Sequence, residues 1–108
     1  MKKSKVLCLH GGTSSAAHFK EQLQIWPSNV LEEMDLVFLD GPFLIDNIKV
    51  PTFRWYDTQD ATKLDSTFNQ SIAYIEETMA KLGPFDGVLG FSQGACIAAA
   101  LPGMQAQH

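Results

Sequence analysis

The segment Gly90-Phe91-Ser92-Gln93-Gly94 sets a serine between two glycines, after the apolar run Val88-Leu89 and before Ala95-Cys96-Ile97-Ala98-Ala99-Ala100-Leu101. This order reads as a nucleophile elbow, a strand turning sharply into a helix with the serine at the bend. Glycines suit both flanks because the serine backbone is strained and a Cβ on either side would crowd the neighbouring strand or helix. A second element, Leu9-His10-Gly11-Gly12, also follows an apolar run and can supply an oxyanion loop. A serine hydroxyl needs a general base to take its proton, and the tetrahedral intermediate needs N–H groups aimed at its oxyanion. Ser92 is therefore the candidate nucleophile, and the backbone N–H groups of Gly12 and Gln93 are the candidate oxyanion donors. Gln93 opens a helix, whose N-terminus adds partial positive charge.

The base is less evident. The common hydrolase order is serine, acid, histidine, yet no acidic residue follows Ser92, and His108, the last residue, is the only downstream histidine. Sixteen positions on, at the far end of the helix from the elbow, His108 is a poor base. His10 is expected to pack and orient its turn, and His18 to be a solvated or half-buried helical side chain. Trp55 and Tyr56, on an aromatic loop, are open to two readings: contacts to an acyl substrate, or loop packing.

The elements that must hold these residues alternate. Lys5 to Leu9 reads as a strand buried on both faces, and Asp35 to Asp40 as a second. Between them Ser14 or Ser15 can cap a helix with Phe19, Leu23 and Trp26 on one face, stopped by Pro27, and Asn29 to Met34 looks like a short helical turn. Residues 43 to 65 show no convincing period and are expected to form a loop. Ser66 or Thr67 is then expected to cap a long helix with a core stripe of Phe68, Ile72, Ile75, Met79 and Leu82, while Glu76-Glu77 faces solvent. Gly83-Pro84 ends that helix, and Val88 to Phe91 is the third strand. Strand and helix in alternation imply parallel strands with right-handed crossovers, an α/β architecture. Both candidate loops leave carboxyl ends of strands, where sites form in such sheets.

At 108 residues the chain is one domain at most, about half of what a complete α/β hydrolase usually needs. A net charge of −4 argues against nucleic acid as a partner. No signal-peptide pattern and no run of about 18 apolar residues occurs. Cys8 and Cys96 lack metal-ligand spacing and are expected to be buried, reduced thiols, which points to the cytoplasm, the nucleus also being open.

The stretches Lys5–Gly11, Leu36–Pro42, Arg54-Trp55-Tyr56 and Gly83–Gly94 together resemble the FSH family of serine hydrolases, and the tail Leu101–Gln105 is especially similar to plant members. The resemblance implies an α/β-hydrolase fold, hydrolysis of carboxylic esters or thioesters through an acyl-serine, and no cofactor or metal. It places Ser92 at the nucleophile and Gly12 and Gln93 at the oxyanion positions. It also implies that residues 1–108 are a partial domain, the amino-terminal half, with the family's Asp and His in the half not present. The Val6 strand then lies central and the Val88 strand becomes an exposed edge, open to self-association. The rivals are a catalytically dead acyl-binding or regulatory module and a flavodoxin-like binding domain.

Overall fold

A computed structural model describes residues 3–45 and 50–105. Three parallel strands, β1 (Ser4–Leu9), β2 (Met34–Leu39) and β5 (Gly87–Gly90), form a sheet in the order β2-β1-β5. β1 is central, with Val6 opposite Leu36 on one side and Gly87 on the other. Its burial deepens toward the carboxyl end, where Leu7, Cys8 and Leu9 are wholly enclosed. The apolar run without alternation is what two covered faces require.

Helix α1 (Ala16–Leu23) starts at Ser15, whose hydroxyl accepts the His18 N–H, while the Asp40 carboxylate accepts the Ala16 N–H. Two N-terminal donors are thereby satisfied, one of them from the end of β2. α1 lays Phe19 and Leu23 against Cys8 on one face of the sheet, with Phe19 edge-on to Phe38. A single turn, α2 (Ser28–Leu31), leads into β2.

The opposite face carries the larger core. There α3 (Ala61–Leu82) and α4 (Gln93–Gln105) bury Ile72, Ile75, Ile97 and Leu101 against Leu7, Leu9 and Trp55. The stripe expected from the sequence ends early: Leu82 is exposed, and its carbonyl accepts the Lys5 ammonium instead.

Residues 43–65 are more ordered than their lack of period suggests. β3 (Phe43–Ile45) and β4 (Thr52–Arg54) form a small antiparallel pair, each strand too short to show an alternation. α3 begins at Ala61, capped by Asp60, and not at Ser66 or Thr67. Residues 61–66 are all exposed, so the first turns of α3 carry no apolar stripe. Thr67 instead accepts the Asp57 N–H through its hydroxyl and donates to the Lys63 carbonyl.

Candidate functional site

β5 ends at Gly90, α4 begins at Gln93, and the chain reverses between them. Ser92 holds that bend at φ 55°, in the left-handed region that a residue with a Cβ enters only at a cost, and it is exposed. The glycines make the bend possible by close approach. A Cβ on Gly90 would lie 2.6 Å from the Ala95 nitrogen, and one on Gly94 2.6 Å from the His10 carbonyl oxygen and nearer still to that of Leu9. The N–H of Ala95 and Cys96 both go to the Ser92 carbonyl, closing the first turn of α4. The Gln93 N–H, at the first helical residue, has no partner one turn back.

The loop after β1 lies directly against this bend. Gly12 faces the Gln93 side chain, 3.1 Å separating a Cβ there from Gln93 Cδ. A cavity of about 200 Å³ opens beside the loop, with Gly12, Thr13, His18 and Phe91 in its lining. The structure thus brings Ser92, Gln93 and Gly12 together.

His10 is built into the scaffold. Its Nε2 accepts the Gly41 N–H at 2.9 Å and its Nδ1–H donates to the Gly11 carbonyl at 2.6 Å, which fixes the neutral tautomer. Burial holds its pKa below the ordinary value, against smaller opposing effects of the Gly11 carbonyl and the Asp40 carboxylate. The unfolded chain therefore takes up a proton near pH 6.5, before the folded chain does. Stability is expected to be full above about pH 6.5 and to fall as pH drops below it, by up to about 1.4 kcal/mol per pH unit from this residue. Urea midpoints at pH 7.5 and 5.5 check this, the His10→Gln variant losing that part of the pH dependence. His18 is exposed on α1, and His108 lies outside the described residues.

Trp55 is fully buried and belongs to the main core, so it presents no surface to a substrate; packing is the role the structure gives it. Its indole N–H donates to the His10 carbonyl at 2.8 Å and the two rings lie 5.0 Å apart. Tyr56 is half-buried, its ring 5.4 Å from that of Phe68, and burial followed by the Cys96 side chain pushes its pKa up to about 12. The turn is braced at Asp57, which takes N–H groups from Gln59 and Asp60 and the Arg54 guanidinium at 3.4 Å. Those donors, Gln59 first, hold its carboxyl below the usual range against the effect of burial.

Residue order gave no sign of what the Gln93 side chain does. Its Oε1 accepts the Trp55 N–H at 3.0 Å and its Nε2 donates to the Tyr56 carbonyl at 3.2 Å. Cys96 also departs from expectation: it is exposed on α4, whereas Cys8 is buried, its thiol pushed up to about 11 by desolvation. Among the described residues no cluster of His, Cys, Asp and Glu could hold a metal ion, and no helix is long and apolar enough to cross a membrane.

A central parallel sheet covered by helices on both faces, with its sharp strand-to-helix bend at a serine, defines the α/β-hydrolase fold class. The chain belongs to the family described as serine hydrolase (FSH1), which matches residues 1–108. It is 31% identical over 136 aligned positions to the rhodanese-like domain-containing protein 6 of Arabidopsis thaliana, with 98% of this chain and 23% of that protein covered. It is 34% identical over 107 positions to the esterase FUS5 of Gibberella fujikuroi, covering 86% of this chain and 45% of the esterase. The chain thus spans less than half the length of these curated relatives. Among solved structures, Arabidopsis thaliana SOBER1 superposes with a TM-score of 0.59 at 19% identity, covering 93% of this chain and 54% of the other, a likeness of fold.

Proposed function

We propose that this chain is the nucleophile-bearing portion of a serine hydrolase that cleaves carboxylic esters or thioesters through an acyl-serine intermediate. Ser92 is the nucleophile on its elbow, and the N–H groups of Gly12 and Gln93 are the oxyanion donors. The observation that carries this reading is the left-handed backbone of exposed Ser92 between two glycines that admit no side chain. Strain of that kind persists where the surrounding structure holds it, and here it sets an exposed serine at the carboxyl end of a parallel strand. The esterase relative supports an ester as the substrate.

In the reaction the Ser92 oxygen bonds to the acyl carbon, its proton passes to a base, and the carbonyl oxygen becomes an oxyanion between the two N–H groups. The alcohol or thiol then leaves with a proton, and water repeats the sequence to release the acid. His10 is not that base, since both its nitrogens are engaged by backbone. Half-buried Tyr56 lies where it can contact the acyl group, whereas Trp55 is enclosed in the core. The free cysteines support a reducing compartment such as the cytoplasm, and the outer edge of β5, which pairs with no strand among the described residues, supports self-association.

The test is covalent. A fluorophosphonate should label the folded chain slowly and only at Ser92, identified by mass in the peptide spanning the bend, and the Ser92→Ala variant should take up none. Labelling spread over other serines, or equal in the urea-unfolded chain, would overturn the assignment.

A further inference from the structure

We infer that the Gln93 side chain is a positioning residue that sets the spacing between the two oxyanion-donor segments, an inference that rests on the serine-hydrolase reading above. The donors come from separate loops, Gly12 after β1 and Gln93 after β5, about eighty residues apart in the chain. An oxyanion hole works only if both N–H groups lie about 2.7–3.1 Å from one point, and a misplacement near 1 Å is costly. Something must hold the two loops in register.

Strand pairing does part of this, through the Phe91 N–H to the Leu9 carbonyl at 3.1 Å. That bond stops three residues short of Gly12, which faces the Gln93 side chain. The remaining link runs through the Arg54–Asp57 turn. The Gln93 amide grips the turn twice, accepting the Trp55 N–H and donating to the Tyr56 carbonyl. Trp55 then passes the constraint on by giving its indole N–H to the His10 carbonyl, two residues before Gly12. The turn is itself anchored to α3, by Ser71 donating to the Trp55 carbonyl and by Thr67 accepting the Asp57 N–H. The residue whose backbone N–H serves as one donor is thus tied, by its own side chain, to a rigid strap that also carries the loop of the other.

The chemistry demands an uncharged amide of this length. Accepting at one end and donating at the other is beyond alanine, and glutamate keeps the acceptor for Trp55 but turns a second acceptor toward the Tyr56 carbonyl. Asparagine falls one methylene short.

Four versions of the 108-residue chain decide the matter: the parent, Gln93→Ala, Gln93→Glu and, as the labelling reference, Ser92→Ala. Hydrogen–deuterium exchange of segments 9–13 and 53–57 should rise about tenfold or more in Gln93→Ala, with β2 and the middle of α3 unchanged, and to a lesser degree in Gln93→Glu. In the same order, the second-order rate of fluorophosphonate labelling at Ser92 should fall at least tenfold and about threefold. With p-nitrophenyl butyrate the loss should appear in kcat with KM within about twofold, as expected when donor placement and not binding is disturbed. Unaltered exchange in segments 9–13, or faster exchange with an unaltered Ser92 rate, overturns the inference. If the parent chain labels no faster than Ser92→Ala, the hydrolase reading fails by itself, and the inference that depends on it falls with it.

Discussion

Gly94→Ala is expected to destabilise the chain by about 3 kcal/mol or more, roughly a 150-fold change in the folding equilibrium. The added methyl would press on the carbonyl oxygens of Leu9 and His10. These are backbone atoms of the central strand and of the loop fixed by Trp55, and no side chain can swing aside to make room. Relief requires α4 to move off β1, which opens the contact between Ile97 and the core. The same substitution elsewhere supplies a graded control. Gly12→Ala meets the Gln93 side chain at 3.1 Å, a neighbour held by two hydrogen bonds to the Arg54–Asp57 turn, and should cost about 1 kcal/mol while loosening that grip. Gly87→Ala meets nothing within 4 Å and should be neutral or slightly stabilising through the unfolded chain. Urea denaturation midpoints rank the three. If Gly94→Ala proves as stable as Gly87→Ala, the bend is not held by close packing on β1.

The parts of the fold that could be read from residues are those whose burial is two-sided or periodic. β1 and β2 carry the apolar runs Val6–Leu9 and Leu36–Leu39, and the middle of α3 carries its stripe at helical spacing, so these elements and much of the core followed from them, whereas the central place of β1 came from the family resemblance. What escaped was held by groups with no pattern of their own. The β3–β4 pair has three residues a strand, and the start of α3 is fixed by Asp60 and Thr67 hydroxyl and carboxylate bonds, which leave no period in the sequence. The glycine-flanked serine was legible because the conformation it needs excludes most residue types on either side, and glycine is a scarce answer. The strap was not. That Trp55 is core and that Gln93 reaches it depends on how two distant loops meet, and local order carries no trace of a contact 38 residues away.

Turnover of p-nitrophenyl butyrate by this chain is expected to be slow, with an acceleration over water on the order of 10³ to 10⁴, the level left when a serine hydrolase keeps its oxyanion hole but lacks its base. Among the described residues no histidine hydrogen-bonds to Ser92: His10 spends both nitrogens on Gly11 and Gly41, and His18, exposed on α1, lines the cavity beside Gly12 and Phe91 without such a bond. A hydroxyl without a base stays protonated at neutral pH and attacks poorly. The consequence is non-additive. Where the base is missing, Ser92→Ala should lower turnover by less than about tenfold, because serine and histidine act as one unit and losing either costs nearly as much as losing both. Disturbing the proposed donors Gly12 and Gln93, by contrast, should still be felt, since oxyanion stabilisation is the part of the machinery that the proposed site keeps. Rapid turnover that drops 10³-fold in Ser92→Ala would show that a base does reach the serine. His18→Gln, or a mixture of Ser92→Ala chains with chains lacking the histidines, would then tell whether that base comes from the same molecule or from a second copy docked at the open edge of β5.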